Sequence, residues 1–115
     1  MDTLNIPENT VVKLQVNISS DAVVATNVSI NDVIVKKSTQ YKFTTDLGTV
    51  SLLTHKGLSV VSSFFVSTGN IDAIMNVTQV SNSLLYDNQK VELQVYKQKI
   101  TQNFFIVYSS VNLTF

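Results

Sequence analysis

From Val11 to Ser19 apolar and polar residues alternate: Val12, Leu14, Val16 and Ile18 fall on one side of an extended backbone, and Lys13, Gln15, Asn17 and Ser19 on the other. A period of two predicts a strand with one buried face. Ser20 and Asp21 turn the chain, and Val24, Thr26, Val28 and Ile30 resume the alternation against Asn27 and Ser29. Asn31-Asp32 predicts a tight turn into a short strand over Val33–Val35. Lys36, Lys37 and Ser38 read as a solvated turn, after which Tyr41 and Phe43 face one way and Lys42 and Thr44 the other. Asp46-Leu47-Gly48 predicts a further turn, and Val50 and Leu52 continue inward. The stretch Thr54–Gly57 predicts another reversal, with Gly57 able to take a positive φ.

The second half keeps the period. Leu58, Val60, Phe64 and Val66 make one face of a longer strand with Ser62 as its lone polar member, while Val61 and Phe65 make the opposite face partly apolar. A strand apolar on both faces is expected at the centre of a sheet. Thr68-Gly69-Asn70 reads as a hairpin turn. Ile71, Ala73, Met75 and Val77 then alternate against Asp72, Asn76 and Thr78 as a strand. A helix capped by Asn70 that gathers Ile71, Ile74 and Met75 competes for the same letters, and the β-branched content favours the strand. Ser81–Ser83 reads as a polar turn and Leu84–Tyr86 as a short strand; Asp87-Asn88 then leads into Lys90–Lys97, with Val91, Leu93 and Val95 on one face. The last segment is apolar on both faces from Phe104 to Tyr108, and on one face at Val111, Leu113 and Phe115, which predicts a docked terminal strand.

Eight or more short strands, turns about every ten residues, one proline and three glycines predict an all-β chain. The expected fold is an antiparallel β-sandwich of immunoglobulin-like kind, as a single domain over residues 1–115, with a small β-barrel as the alternative.

Composition narrows the function. Only 14% of the 115 residues are charged and the formal net charge is zero, so no basic field draws in nucleic acid. All eight positive side chains are Lys; the missing Arg removes the usual bidentate reader of phosphate and guanine. A weakly charged surface of zero net charge favours self-association, so a homo-oligomer is expected. Cys is absent, which removes disulfides, thiolate metal sites and thiol nucleophiles together. "MDTLNIPENT" has neither the positive nor the apolar region of a secretory signal, and no apolar run spans a bilayer, so neither export nor membrane insertion is expected.

Candidate chemistry is sparse. His55, the single histidine, sits in a turn without a G-x-S-x-G elbow or other nucleophile context. Asp21, Asp32, Asp46 and Asp87 fall at turns, where the side chain caps local backbone, and no D-x-D-x-D-G run gathers ligands for calcium. No enzymatic activity, metal or cofactor is therefore expected. Four N-x-S/T triplets, at Asn17, Asn27, Asn76 and Asn112, fall on the polar faces of expected strands and read as outward residues rather than glycan acceptors. Among the aromatic residues, Tyr86 and Tyr96 are the candidates for an exposed ring that binds a surface ligand.

The order "AVVATNVSINDVIVKKSTQYKFTTDLG" resembles the first hairpins of immunoglobulin-like and prealbumin-like modules, where an alternating strand, an Asn/Asp turn, a short strand and a Y-x-F strand follow one another. The core Trp and the Cys pair of antibody-type domains are absent. In its free-standing size, its lack of Cys and Trp and its Asn/Ser/Thr/Val-rich strands, the chain also resembles the small accessory proteins of tailed-phage virions, such as capsid decoration proteins and head fibres. That resemblance implies a non-enzymatic structural protein, made in the cytoplasm and carried in the virion, that binds other structural proteins of an assembly such as a capsid. The apolar segments "LSVVSSFFV" and "NFFIVYSSVNLTF" support an interaction role. A glycan- or cell-surface-binding module built on Tyr86 and Tyr96 is the alternative.

Overall fold

The computed structural model describes residues 2–5, 11–49, 56–67 and 69–114. Within them the chain forms, in order, β1 (Asp2–Asn5), β2 (Val11–Ser19), β3 (Val23–Ile30), β4 (Val33–Ser38), β5 (Lys42–Thr49), β6 (Lys56–Phe65), the helix α1 (Ile71–Val77), β7 (Gln79–Tyr86), β8 (Gln89–Glu92), β9 (Tyr96–Thr101) and β10 (Phe104–Thr114). One sheet has six strands: β10, β6, β3 and β4 lie side by side, and β1 and β9 share the far edge of β10. The other has four, in the order β5, β2, β7, β8. All pairings are antiparallel except that of β1 with β10. The chain is all-β with two sheets in a sandwich-like arrangement, as its alternation predicts.

Alternation also dictates the core. Val12, Leu14, Val16 and Ile18 of β2 are buried, in one cluster with Val24 and Val28 of β3, Leu58, Val60 and Phe64 of β6, and Phe105, Val107, Val111 and Leu113 of β10. Removing side chains of this size from water contributes about 1.5–3 kcal/mol each. Two polar pairs are built into this interior. Thr26 and Ser62, on adjacent strands, share a hydrogen bond of 2.9 Å, which satisfies the buried polar residue between Val60 and Phe64 on the inward face of β6. Asn82 donates through Nδ2 to Ser109 Oγ at 3.0 Å, which ties β7 of one sheet to β10 of the other. Two-residue turns at Asn31-Asp32 and Asp87-Asn88 place both residues at positive φ, between 50° and 66°. That conformation matches the right-handed twist of the flanking strands.

Several elements differ from expectation. Ile71–Val77 is a helix, not a strand. Asn70 Oδ1 accepts from the backbone N–H of Asp72 at 2.9 Å and of Ala73 at 3.4 Å, and the spacing of Ile71, Ile74 and Met75 turns all three toward the core. Lys97 Nζ reaches over from β9 and donates to the carbonyls of Met75 at 2.8 Å and Thr78 at 2.6 Å, where a positive charge complements the helix end. Lys90–Lys97 is not one strand. It breaks at Leu93–Val95, where the chain leaves the four-stranded sheet for the six-stranded one, held by Leu93 N donating to Asn82 O at 2.7 Å.

Ser81–Ser83 lies inside β7 rather than in a turn, because Asn82 finds its partner across the core. Lys36 and Lys37 belong to β4. Asp46-Leu47-Gly48 is a bulge in β5: Val12 pairs with Gly48 and Lys13 with Asp46, which leaves Leu47 as the extra residue and Gly48 at φ 109°. Gly57 lies in β6 opposite Asn112 and is not at positive φ. The expectations for Val50, Leu52, Thr54, His55, Thr68 and Phe115 fall outside the described residues.

Candidate docking face

The two sheets present very different outer faces. In the six-stranded sheet, register sets Val23, Phe65 and Phe104 in one outward row, Ala25, Ser63 and Ile106 in the next, and Asn27, Val61 and Tyr108 in a third. Phe65 is 51% exposed and Val23 68%. The Phe65 and Phe104 rings lie 4.9 Å apart. Tyr96 extends the third row from β9, with its ring 5.5 Å from that of Tyr108. None of the outward residues of β3, β6 and β10 in these rows carries a charge, and the third row ends on Lys37 of β4, opposite Asn27.

The four-stranded sheet faces outward with Lys42, Asn17 and Ser81 in one row and Asp46, Lys13, Leu85 and Lys90 in another. Lys13 and Asp46 approach to 3.9 Å there. One face is thus ordinary solvated surface. The other carries an uncharged, largely apolar patch around half-exposed Phe65 and partly buried Phe104, of the kind that marks an interaction site when it lies on a surface.

Tyr86 and Tyr96 are not brought together. Tyr86 is only 8% exposed, because β7 turns Leu84 and Tyr86 inward together, and it is part of the core. Tyr96 is 42% exposed, on the other sheet, at the border of the apolar patch. Phe65 and Phe104 lie in the two apolar segments that the sequence offers for an interaction role, and Val23 is the residue that sequence reasoning passed over. The signal of Phe65 and Phe104 was present in the apolar second face at Val61 and Phe65 and in the two-sided apolar run from Phe104 to Tyr108.

Other polar groups are engaged locally. Asp72 pairs with Lys99 at 3.3 Å, and Glu92 Oε1 accepts from Ser81 Oγ at 2.7 Å. Among the described residues no three metal-binding side chains cluster. Asn17, Asn27, Asn76 and Asn112 are all exposed, with Asn76 on α1 rather than on a strand. A depression of about 520 Å³ beside β2, β7 and β9 is lined by Asn17, Ser81, Glu92, Val95 and Lys97. Glu92 is bonded to Ser81, and Lys97 to the carbonyls of Met75 and Thr78 at the end of α1. No helix among the described residues is long and apolar enough to cross a membrane.

No protein-family model matches the chain, and neither does any curated protein or solved structure.

Proposed function

We propose that the protein is a non-enzymatic interaction module that docks on a larger assembly through the outer face of its six-stranded sheet. The observation that carries this reading is the uncharged outward surface around Phe65 and Phe104, set against a charged and polar outer face on the other sheet. A patch that lacks charge and holds paired aromatic rings fits an apolar, uncharged surface of another protein, since burying aromatic groups dominates such contacts. We take the sandwich to be of immunoglobulin-like kind, a reading supported by short strands that pass from one sheet to the other at Ser20–Ala22 and Leu93–Val95. The assembly is a phage virion in its most concrete form, which rests on the resemblance to decoration and head-fibre proteins in size, in the lack of Cys and Trp and in the Asn/Ser/Thr/Val-rich strands.

The test is density-gradient fractionation of particles from the source of the protein, with detection of the chain in each fraction. The reading expects the chain in the particle band at a fixed stoichiometry. Recovery only at the top of the gradient, free of particles, contradicts it.

A further inference from the structure

Opposite the β1/β9 edge, the six-stranded sheet ends at β4, which pairs only with β3 among the described residues. An outermost strand leaves one row of backbone N–H and C=O groups open, a template for pairing with another strand. β4 is apolar where most edge strands are not: Val33, Ile34 and Val35 are 64%, 48% and 50% exposed. Its register with β3 slips there, Val28 pairing with Lys36 and Ser29 with Ile34, so Val35 is an extra residue on the edge. The two edges of the four-stranded sheet, β5 and β8, interleave charge instead, with Lys42 and Asp46 on one and Lys90 and Glu92 on the other.

The segment Asp32-Val33-Ile34-Val35-Lys36 complements itself when two copies run antiparallel. With Ile34 opposite Ile34, Val33 meets Val35, and Asp32, in the turn that leads into β4, falls at the strand end beside Lys36 of the other copy, twice over by symmetry. A parallel alignment sets Asp32 against Asp32 and Lys36 against Lys36, which like charge opposes. A slip of one residue sets Val33 against Lys36 and keeps two of the three apolar pairs.

We propose that β4 pairs with β4 of a second copy, antiparallel about a two-fold axis at Ile34, so that two six-stranded sheets join into one. The contact is isologous and closes at two copies. It goes beyond the docking reading and uses a different part of the sheet, since Phe65 and Phe104 lie on β6 and β10.

Sedimentation velocity over a range of concentrations tests it, with circular dichroism confirming that each variant folds. The wild-type chain dimerises. Ile34→Lys, which sets two cations against each other on the axis, weakens the dimer by about tenfold or more. The decisive comparison is Asp32→Asn made alone and in the Lys36→Glu background. Asn tolerates the positive φ of that turn. Alone, the substitution removes an attraction and weakens the dimer, by about threefold when both symmetric pairs are counted. In the Lys36→Glu background it removes a repulsion and tightens the dimer. A wild-type chain that stays monomeric, an Ile34→Lys variant that associates like wild type, or Asp32→Asn acting in the same direction in both backgrounds overturns the proposal. All these variants keep Phe65 and Phe104, so their presence in or absence from the particle band reports on docking separately.

Discussion

Phe64 of β6 and Phe105 of β10 stand directly opposite each other in register, with ring centroids 4.8 Å apart and planes within 7°. Both are fully buried, so the stack is the largest apolar unit joining the two longest strands. Truncating either to Ala is expected to cost about 3–5 kcal/mol, a large part of the stability of a domain this size. Because each ring is the other's packing partner, the double variant should lose less than the sum of the singles. Urea unfolding of the four proteins checks both statements, and strict additivity would show that the rings pack independently.

The Asn82–Ser109 bridge makes a second prediction. Ser109 Oγ accepts from Asn82 and donates to Gln94 O at 2.8 Å, so Ser109→Ala strands two groups at once in the interior. The expected loss is about 1–3 kcal/mol. Asn82→Leu, of the same branched shape though bulkier, should be milder, since it removes an amide whose Oδ1 has no partner and leaves Ser109 bonded to Gln94. Chemical denaturation gives the order directly; a larger loss from Asn82→Leu would contradict this account of the bridge.

A third prediction concerns α1. Its N-terminal amides at Asp72 and Ala73 depend on Asn70 Oδ1, so Asn70→Ala should lower stability by about 1 kcal/mol while Asn70→Asp stays close to wild type. Faster hydrogen exchange at those two amides in Asn70→Ala is the specific mark. Unchanged exchange would mean that the helix is held by its packing alone.

The strands were legible wherever one face meets the core and the other meets water, as in β2 and β3. The helix was not, because Ile71 and Met75 satisfy a period of two and a period of 3.6 together, and only the cap at Asn70 separates them. The break after Glu92 was invisible for another reason. Val91, Leu93 and Val95 alternate without a fault, and what divides them is the Asn82 carbonyl on a different strand. Tyr86 looked like surface because it precedes a turn, but its parity within β7 turns it inward. The docking face was half legible. Val61 and Phe65 could be read as the second face of a central strand, which is what they are, but only the pairing of β6 with β10 sets Phe65 against Phe104 and makes a patch of them.

The central claim is that this patch docks the protein and does not stabilise it. The most direct measurement compares particle-bound fraction and thermal midpoint for Phe65→Lys, with Thr44→Lys on the exposed outer face of the other sheet as the control. The account predicts that Phe65→Lys loses at least about tenfold in binding, the equivalent of one buried aromatic contact, while its midpoint stays near wild type and Thr44→Lys changes neither. Equal binding by Phe65→Lys and the wild-type chain would contradict it.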